Sequence, residues 1–291
     1  MLAVVTRPDK PRGRGQRVEP GPVKRVATDA GIEVLDPVSA RDGAFLERLR
    51  SLGADLGVVV AYGRILPRAA LDAPRLGCIN AHASLLPKLR GAAPIERAVL
   101  AGLPETGVTI MQMNEGLDEG DVLLARSTPI PETMTGPALR EVLARMSADL
   151  LVEAVDALAG DPAALRPVPQ DHAQATFAPP LGKSDAAIRW GDDAYELRNR
   201  IRAFSPRPGA FAFDGKTRLK VLEARVQNRR MDAAPGTVLR ASEDGLLVAC
   251  GRGVLELLVV QPEGRRAMPA TDYARGLRPA PGSPHVLHDG E

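Results

Sequence analysis

The fold is decided by the stretch Gly77-Cys78-Ile79-Asn80-Ala81-His82-Ala83-Ser84-Leu85-Leu86-Pro87-Lys88-Leu89-Arg90-Gly91-Ala92-Ala93-Pro94-Ile95. Its start, from Cys78 to Ala81, predicts a short buried strand, and Pro94 is well placed in the first turn of a helix that follows. Asn80 and His82 are two residues apart, so on a strand their side chains lie on the same face. Because open α/β sheets bind ligands at strand ends, we expect an amide and an imidazole side by side at a ligand site.

A second segment supplies a carboxylate. The β-rich run Thr106-Gly107-Val108-Thr109-Ile110-Met111-Gln112-Met113 is followed by the acidic, glycine-bearing loop Asn114-Glu115-Gly116-Leu117-Asp118-Glu119-Gly120-Asp121. An amide, an imidazole and a carboxylate together suit acyl transfer to an amine, because they can stabilise an oxyanion, move a proton and orient the imidazole. Each residue alone has an ordinary structural explanation, as a hydrogen-bonded His, a turn Asn or a capping Asp. Only the combination supports the hypothesis.

The chain resembles the folate-dependent formyltransferases, and among them those that act on methionyl-tRNA. The resemblance is carried by Asn80-x-His82-x-Ser84-Leu85-Leu86-Pro87, Arg90-Gly91-Ala92-Ala93-Pro94-Ile95 and Gly116-Leu117-Asp118-x-Gly120-Asp121. It continues through Thr6-Arg7-Pro8-Asp9, Gly13-Arg14-Gly15, Ala61-Tyr62-Gly63-Arg64-Ile65-Leu66-Pro67, Ile201-Arg202-Ala203-Phe204-Ser205-Pro206 and Pro208-Gly209-Ala210. The resemblance therefore covers nearly the whole chain.

This resemblance implies transfer of a formyl group from 10-formyltetrahydrofolate to the α-amino group of methionine on the initiator tRNA. It implies that Asn80 donates to the formyl oxygen, that His82 moves a proton or stabilises the oxyanion, and that Asp118 hydrogen-bonds or water-bridges to that imidazole. The implied folate-site residues are Ser84, Leu85, Leu86 and Pro87, with Arg64, Ile65 and Leu66 along the pterin pocket. The implied tRNA acceptor-end contacts are Lys10, Arg12 and Arg14. No metal is expected, because an activated donor needs positioning and oxyanion stabilisation more than a Lewis acid.

Composition sets the broad class. The 291 residues are 44% apolar and 25% charged, which is ordinary for a soluble globular protein of two domains. No run approaches the roughly 20 apolar residues of a membrane span. The N-terminus lacks a basic leader, so we expect a cytoplasmic protein. We also expect a monomer. Cys78 and Cys250 lie far apart in apolar surroundings and predict buried, reduced thiols. Four histidines without ligand-like spacing argue against zinc.

Strands alternating with helices in the first half predict an α/β fold: a Rossmann-like formyltransferase domain with a parallel-dominated sheet over residues 1–161. Residues 162–180, rich in proline and alanine, predict a linker draped over that domain. Short strand candidates with turns between them predict a small OB-like β-barrel over residues 181–291, which the resemblance implies helps hold the tRNA. We expect its polar tail, with His285 and His288, to be unstructured.

The charge distribution is more informative than the net charge of +2. Residues 7–25 carry seven basic and two acidic side chains among prolines and glycines, which predicts a long irregular loop. Such a loop can press against a phosphate backbone, although basic runs are as often simply solvated. In the barrel the arginines at 229, 230, 265 and 266 are only a weak nucleic-acid signal, since aromatic residues make up 3% of the chain.

One departure concerns the N-terminus. The family usually begins with a further strand, a glycine-bearing turn and a helix before the segment that starts here at Val4-Val5-Thr6. That unit, roughly 25–30 residues, is absent, and in a doubly wound sheet its strand is central. We therefore expect unpaired edges on the neighbouring strands, and we favour a misassigned start over a form that folds poorly.

Three other functions stay open. A related formyltransferase could act on a small amine, such as a sugar nucleotide or glycinamide ribonucleotide. A truncated remnant could bind tRNA without catalysis, and a hydrolase could release formate if water replaced the amine. The basic segment and the run from Arg90 to Pro94 favour the tRNA substrate.

Overall fold

The computed structural model describes residues 1–12, 17–227, 232–241, 244–277 and 284–290. Contacts divide the chain into two units. Unit 1 comprises residues 1–92, 107–126 and 145–177, and unit 2 comprises residues 93–106, 127–144 and 178–291. The domain boundaries predicted near residues 161 and 181 stay a prediction.

Strands and helices alternate along the chain up to residue 160, as the sequence predicts. In chain order they are β1 (Ala3–Val5), β2 (Lys10–Arg12), β3 (Arg17–Glu19), α1 (Pro22–Asp29), β4 (Glu33–Leu35), α2 (Gly43–Ser51), β5 (Gly57–Val59), α3 (Arg68–Leu71), β6 (Cys78–His82), α4 (Pro94–Leu100), β7 (Glu105–Gln112), β8 (Val122–Pro129) and α5 (Gly136–Gly160). A four-stranded sheet has the order β5-β6-β7-β8, with β6 parallel to β5 and antiparallel to β7. A separate two-stranded sheet pairs β1 with β4 in parallel.

Strands β1 and β5 each leave one edge open. Within the described residues β1 pairs only with β4, and β5 pairs only with β6, so one edge of each strand is unpaired. Val58 and Val60, in and just after β5, are 46% and 53% exposed. The carboxyl ends of the two sheets are linked, because the Arg64 guanidinium donates to the carbonyls of Pro37 and Val38.

The basic segment is more regular than expected. β2 and β3 form an antiparallel pair in which Lys10 lies opposite Glu19. The prediction of an irregular loop is therefore wrong for these residues, while residues 13–16 lie outside the described part of the chain. Such a short ribbon is difficult to predict from sequence, because it contains proline and charges of both signs. Its strands pair through the backbone and carry few apolar side chains, so no hydrophobic pattern marks them.

The C-terminal half contains a helix and an antiparallel sheet. After the 3₁₀ turns His172–Gln174 and Lys183–Ala186 come α6 (Ala194–Phe204), β9 (Ala210–Asp214), β10 (Thr217–Gln227), β11 (Val238–Ala241), β12 (Leu246–Ala249), β13 (Val254–Pro262), β14 (Met268–Pro269), α7 (Ala270–Arg275) and β15 (Leu287–His288). The sheet order is β11-β12-β13-β10-β9-β15, with β14 beside β13. Trp190, Leu197, Ile201 and Val221 lie in the core that this sheet and α6 enclose. The predicted fold class, a Rossmann-like domain followed by an OB-like one, is confirmed.

The prediction of an unstructured tail is wrong for residues 284–290. Strand β15 pairs with β9, and Leu287 is 1% exposed. The carboxylate of Asp289 accepts a hydrogen bond from the backbone N–H of Trp190 at 2.8 Å. Burial of Leu287 and these backbone pairings fix a segment whose polar composition suggested disorder. None of the helices in the described ranges combines the length and apolarity needed to cross a bilayer.

Candidate active site

Strand β6 positions Asn80 and His82. Its first residues, Cys78 and Ile79, are buried and anchor the strand in the sheet. Asn80 lies beside Val59 of parallel β5, so both strands run toward the same edge of the sheet. Parallel strands bring their carboxyl ends together there, which is where such sheets bind ligands.

Each nitrogen of the His82 ring faces an oxygen atom. Its Nε2 lies 2.9 Å from the carbonyl oxygen of Leu89, and its Nδ1 lies 3.5 Å from Oδ2 of Asp118. A carbonyl oxygen can only accept, so this geometry assigns the proton of the neutral ring to Nε2. The Nδ1 lone pair is then available to take a proton beside a carboxylate that stabilises the charged ring. His82 is 5% exposed, which strengthens that interaction.

Both residues that contact His82 have left-handed backbone. Leu89 has φ +59° and Asp118 has φ +50°, in a region that residues other than Gly seldom adopt, although Asp does so more often than Leu. The Asp118 carboxylate also accepts a hydrogen bond from the Gly91 N–H at 2.8 Å through the same oxygen that faces the imidazole. The structure thus brings Asp118 to His82 from a separate loop, and it does so with unusual backbone at both contacts.

Asn80 completes the group of predicted catalytic residues. Its side chain is half-buried, and its amide makes no hydrogen bond to the residues that the structure describes. An amide that is not engaged within the protein keeps both N–H donors for a bound molecule. The arrangement provides a donor for an oxyanion, a proton acceptor and a carboxylate at one strand end.

The predicted folate segment is a turn held by its own polar groups. The Ser84 hydroxyl donates to the Lys88 carbonyl at 2.6 Å. The Thr109 hydroxyl donates to the Ser84 carbonyl at 2.7 Å and accepts from the Leu86 N–H at 3.1 Å. Ser84 therefore shapes the turn itself, and the half-buried Leu85, Leu86 and Pro87 supply its apolar surface.

The other predicted residues lie elsewhere in unit 1. Arg64, Ile65 and Leu66 are in the loop after β5, whose carboxyl end meets that of β6; Ile65 is 79% exposed. Lys10 is exposed on β2, and Arg12 follows it on the same strand. Arg14 lies outside the described residues.

Sequence reading missed three residues that support the site: Thr109, Arg90 as an individual residue, and Gln170. Thr109 is fully buried opposite His82 on β7. Gln170 lies in the predicted linker but is 6% exposed. That segment also pairs with β8, since Val122 and Val168 exchange backbone hydrogen bonds of 2.8 and 2.9 Å. No distinctive sequence signal marks Gln170, because the same run contains a second glutamine, Gln174.

The two thiols agree with their prediction. Both cysteines are free and buried. Burial raises the pKa of the Cys78 thiol to about 11 and that of Cys250 to about 12. Across the described ranges, no group of three or more His, Cys, Asp or Glu side chains converges as a metal-ligand set.

Comparison with protein families gives two matches. The family described as "Formyl transferase" matches residues 1–155, and "Formyl transferase, C-terminal domain" matches residues 180–278. A methionyl-tRNA formyltransferase of Citrifermentans bemidjiense is 46% identical over 282 residues, covering 97% of this chain and 87% of that protein. One from Stutzerimonas stutzeri is 48% identical over 279 residues, covering 96% and 87%.

A solved structure shares the fold at low identity. The N-formyltransferase of Helicobacter canadensis, in complex with folinic acid and dTDP-3-aminofucose, has a TM-score of 0.63 and 16% identity, with 87% of each chain covered. At that identity the likeness concerns the fold alone.

Proposed function

Because the chain belongs to the formyl transferase family, we propose that it transfers the formyl group of 10-formyltetrahydrofolate to the α-amino group of methionyl initiator tRNA. The product is N-formylmethionyl-tRNA for translation initiation. The relatives at 46–48% identity that match nearly the whole chain support this acceptor. The observation that carries the proposal is the geometry at one strand end. There the Asn80 amide, which makes no hydrogen bond to the described residues, lies beside a His82 ring whose Nε2 is held by the Leu89 carbonyl and whose Nδ1 faces Asp118.

The proposed chemistry follows from that geometry. The amine nitrogen attacks the formyl carbon, and the Asn80 amide donates to the oxygen as it becomes an oxyanion. His82 Nδ1 takes the proton that the amine loses, while Nε2–H stays on the Leu89 carbonyl. Asp118 stabilises the resulting imidazolium. Breaking the bond to N10 of the folate then returns the proton to that nitrogen, so protons balance over the cycle.

The remaining roles are assigned by position. We assign Ser84, Leu85, Leu86 and Pro87 and the loop of Arg64, Ile65 and Leu66 to the folate. The first segment follows β6 and the second follows its parallel neighbour β5, so both leave the sheet at the same edge. We assign Lys10, Arg12 and Arg14 to the tRNA acceptor stem, since basic side chains suit its phosphates; Lys10 and Arg12 belong to the β2–β3 ribbon. We propose a monomer in the cytoplasm that needs no metal.

The test is transfer of a radiolabelled formyl group from 10-formyltetrahydrofolate, with three acceptors offered in parallel. We expect label on methionyl initiator tRNA and none on a dTDP-amino sugar or on glycinamide ribonucleotide. Label on a small amine alone would replace this function with the related formyltransferase activity. Tight binding of the tRNA without turnover would support a binding protein, and free formate without an acceptor would indicate a hydrolase.

A further inference from the structure

Gln170 clamps the backbone of the Asp118 loop from behind. Its side-chain Nε2 donates to the carbonyl of Asp118 at 3.0 Å and to the carbonyl of Gly120 at 2.7 Å. Both N–H donors of the Gln170 amide are used, one for the carbonyl of Asp118 and one for the carbonyl of Gly120. The amide therefore fixes where the loop runs, although it has no contact with the Asp118 carboxylate.

The amide orientation is fixed in turn by Arg90. Gln170 Oε1 accepts from Nε of Arg90 at 3.1 Å and from Nη2 at 2.7 Å. A guanidinium can only donate, so the oxygen must face Arg90 and the nitrogen must face the loop. Arg90 is 4% exposed, and its Nη1 lies 3.3 Å from Nδ1 of exposed His172. Burial makes each of these hydrogen bonds costly to lose.

The loop needs this support for a physical reason. Asp118 has φ +50°, and its neighbour Leu117 is 58% exposed, so apolar burial does not hold the tip of the loop. Strained backbone persists only where surrounding contacts determine it. The two hydrogen bonds from Gln170 are contacts of that kind.

One short segment links this clamp to the site. The Leu89 carbonyl contacts His82, the Arg90 side chain holds Gln170, and the Gly91 N–H donates to the Asp118 carboxylate. Three successive residues therefore set the imidazole, the loop backbone and the carboxylate relative to one another.

We propose that Gln170, oriented by Arg90, is a positioning residue for formyl transfer that acts through Asp118. It fixes the loop so that the carboxylate faces His82 Nδ1, and it does not touch the substrates. The kinetic test of this inference rests on the proposed function. Its hydrogen-exchange test depends on the structure alone.

The decisive variant is Gln170→Glu. A glutamate keeps an oxygen for Arg90 but replaces the two N–H donors with an oxygen that repels the two carbonyls. We expect kcat to fall about 10–100-fold, because the carboxylate loses its alignment with the imidazole, while KM for both substrates changes less than about 3-fold. The matched control is Gln174→Glu, the same chemical change four residues along on an exposed side chain whose amide contacts Asp171. That control should retain kcat within about 2-fold.

A double-mutant cycle separates positioning from a merely structural role. In an Asp118→Asn background, Gln170→Glu should cost less than about 3-fold further in kcat, because its target is already lost. The pH profile of kcat in Gln170→Glu should shift in the same direction as that of Asp118→Asn. Independent, multiplying losses with an unshifted profile in fully folded protein would overturn the proposal. Arg90→Lys, which keeps the charge and loses the planar fork, should give a smaller loss with the same profile shift.

Hydrogen exchange supplies a readout that does not depend on the reaction. Amides of residues 115–121 should exchange faster in Gln170→Glu than in wild type, and at the wild-type rate in Gln174→Glu. If wild type transfers no formyl group, the proposed function fails while this measurement still decides whether Gln170 holds the loop. Unchanged exchange in a folded Gln170→Glu protein would overturn the positioning role whatever the activity.

Discussion

The Nε2 atom of His82 lies 2.9 Å from the carbonyl oxygen of Leu89, a residue whose backbone is left-handed at φ +59°. This contact determines which nitrogen of the ring carries the proton and which one faces Asp118. The strained backbone at Leu89 and at Asp118 thus places a carbonyl oxygen and a carboxylate oxygen beside the same imidazole. The catalytic capacity of the site depends on these two turns as much as on the strand that carries the ring.

Asn80→Ala should lower kcat by about 100- to 1,000-fold, the usual cost of removing one oxyanion donor. Stability should change little, because the Asn80 amide makes no hydrogen bond to the described part of the protein. Steady-state formyl transfer and a thermal melt would be measured on the same preparation. Gln174→Ala, an exposed amide that contacts Asp171, is the control for a lost amide; a loss of kcat as large in that variant would remove the special role of Asn80.

Gly120→Ala should disturb the Asp118 loop from its other side. A Cβ at Gly120 would lie 1.8 Å from the backbone carbonyl oxygen of Gln112, so the loop must move. We expect a loss of about 1–3 kcal/mol in the free energy of unfolding, together with a fall of at least about 10-fold in kcat.

Gly160→Ala is the matched control, since a Cβ there meets no atom within 4 Å. It lies at the end of α5, and alanine should leave stability unchanged or raise it by up to about 1 kcal/mol. Equal destabilisation in the two variants, measured by urea unfolding, would contradict the steric account.

Much of the fold was predictable because local signals and tertiary structure agree. Helix α4, for example, begins at Pro94, the residue that the sequence predicts in the first turn of a helix. The placement of Asn80 and His82 followed from period-two spacing on a buried strand. In each case the determinant lies within a few residues of the feature it sets.

The rest could not be predicted, for the opposite reason. Gln170 is 52 residues from the Asp118 carbonyl that it holds, and its neighbours resemble a linker. The left-handed backbone at Leu89 occurs at a residue whose side chain disfavours it, so no local preference marks it. The tail at Leu287 is ordered by pairing with β9, a contact that its own composition does not indicate.

Asp185 should make stability depend on pH. Burial opposes its charged form, but the Gly182 N–H at 2.7 Å and the Arg97 guanidinium at 2.8 Å outweigh that effect and hold the pKa of Asp185 below its ordinary value. A lowered pKa stabilises the folded protein above the unfolded value near 3.8, and this contribution is lost as pH falls through the folded value. Asp185→Asn should therefore cost about 1 kcal/mol at pH 7, and the difference from wild type should shrink below pH about 4. Urea titrations at both pH values would show it; a difference that grows on acidification would contradict the sign.

The two thiols should be inert in the folded protein. With pKa values of about 11 for Cys78 and about 12 for Cys250, almost no thiolate is present at pH 8, and both side chains are buried. Iodoacetamide should label neither cysteine within an hour in buffer and both within minutes in guanidinium chloride, as followed by mass spectrometry. Rapid labelling of Cys78 alone in buffer would show that the β5–β6 edge opens locally.

Adding a strand should stabilise unit 1. The edges of β1 and β5 are unpaired in the described residues, and Val58 and Val60 are largely exposed, so an added parallel strand has two hydrogen-bonding edges and apolar surface to cover. We would place a strand-turn-helix segment from a curated formyltransferase upstream of Met1 and compare melting and formyl transfer with the 291-residue chain. We expect the melting temperature to rise by several degrees, about 2–4 °C for each kcal/mol gained. A glycine-serine segment of equal length forms strands poorly and should give no rise in the melting temperature. If the strand-turn-helix segment also leaves melting and activity unchanged, the open edges of β1 and β5 do not limit the stability of unit 1.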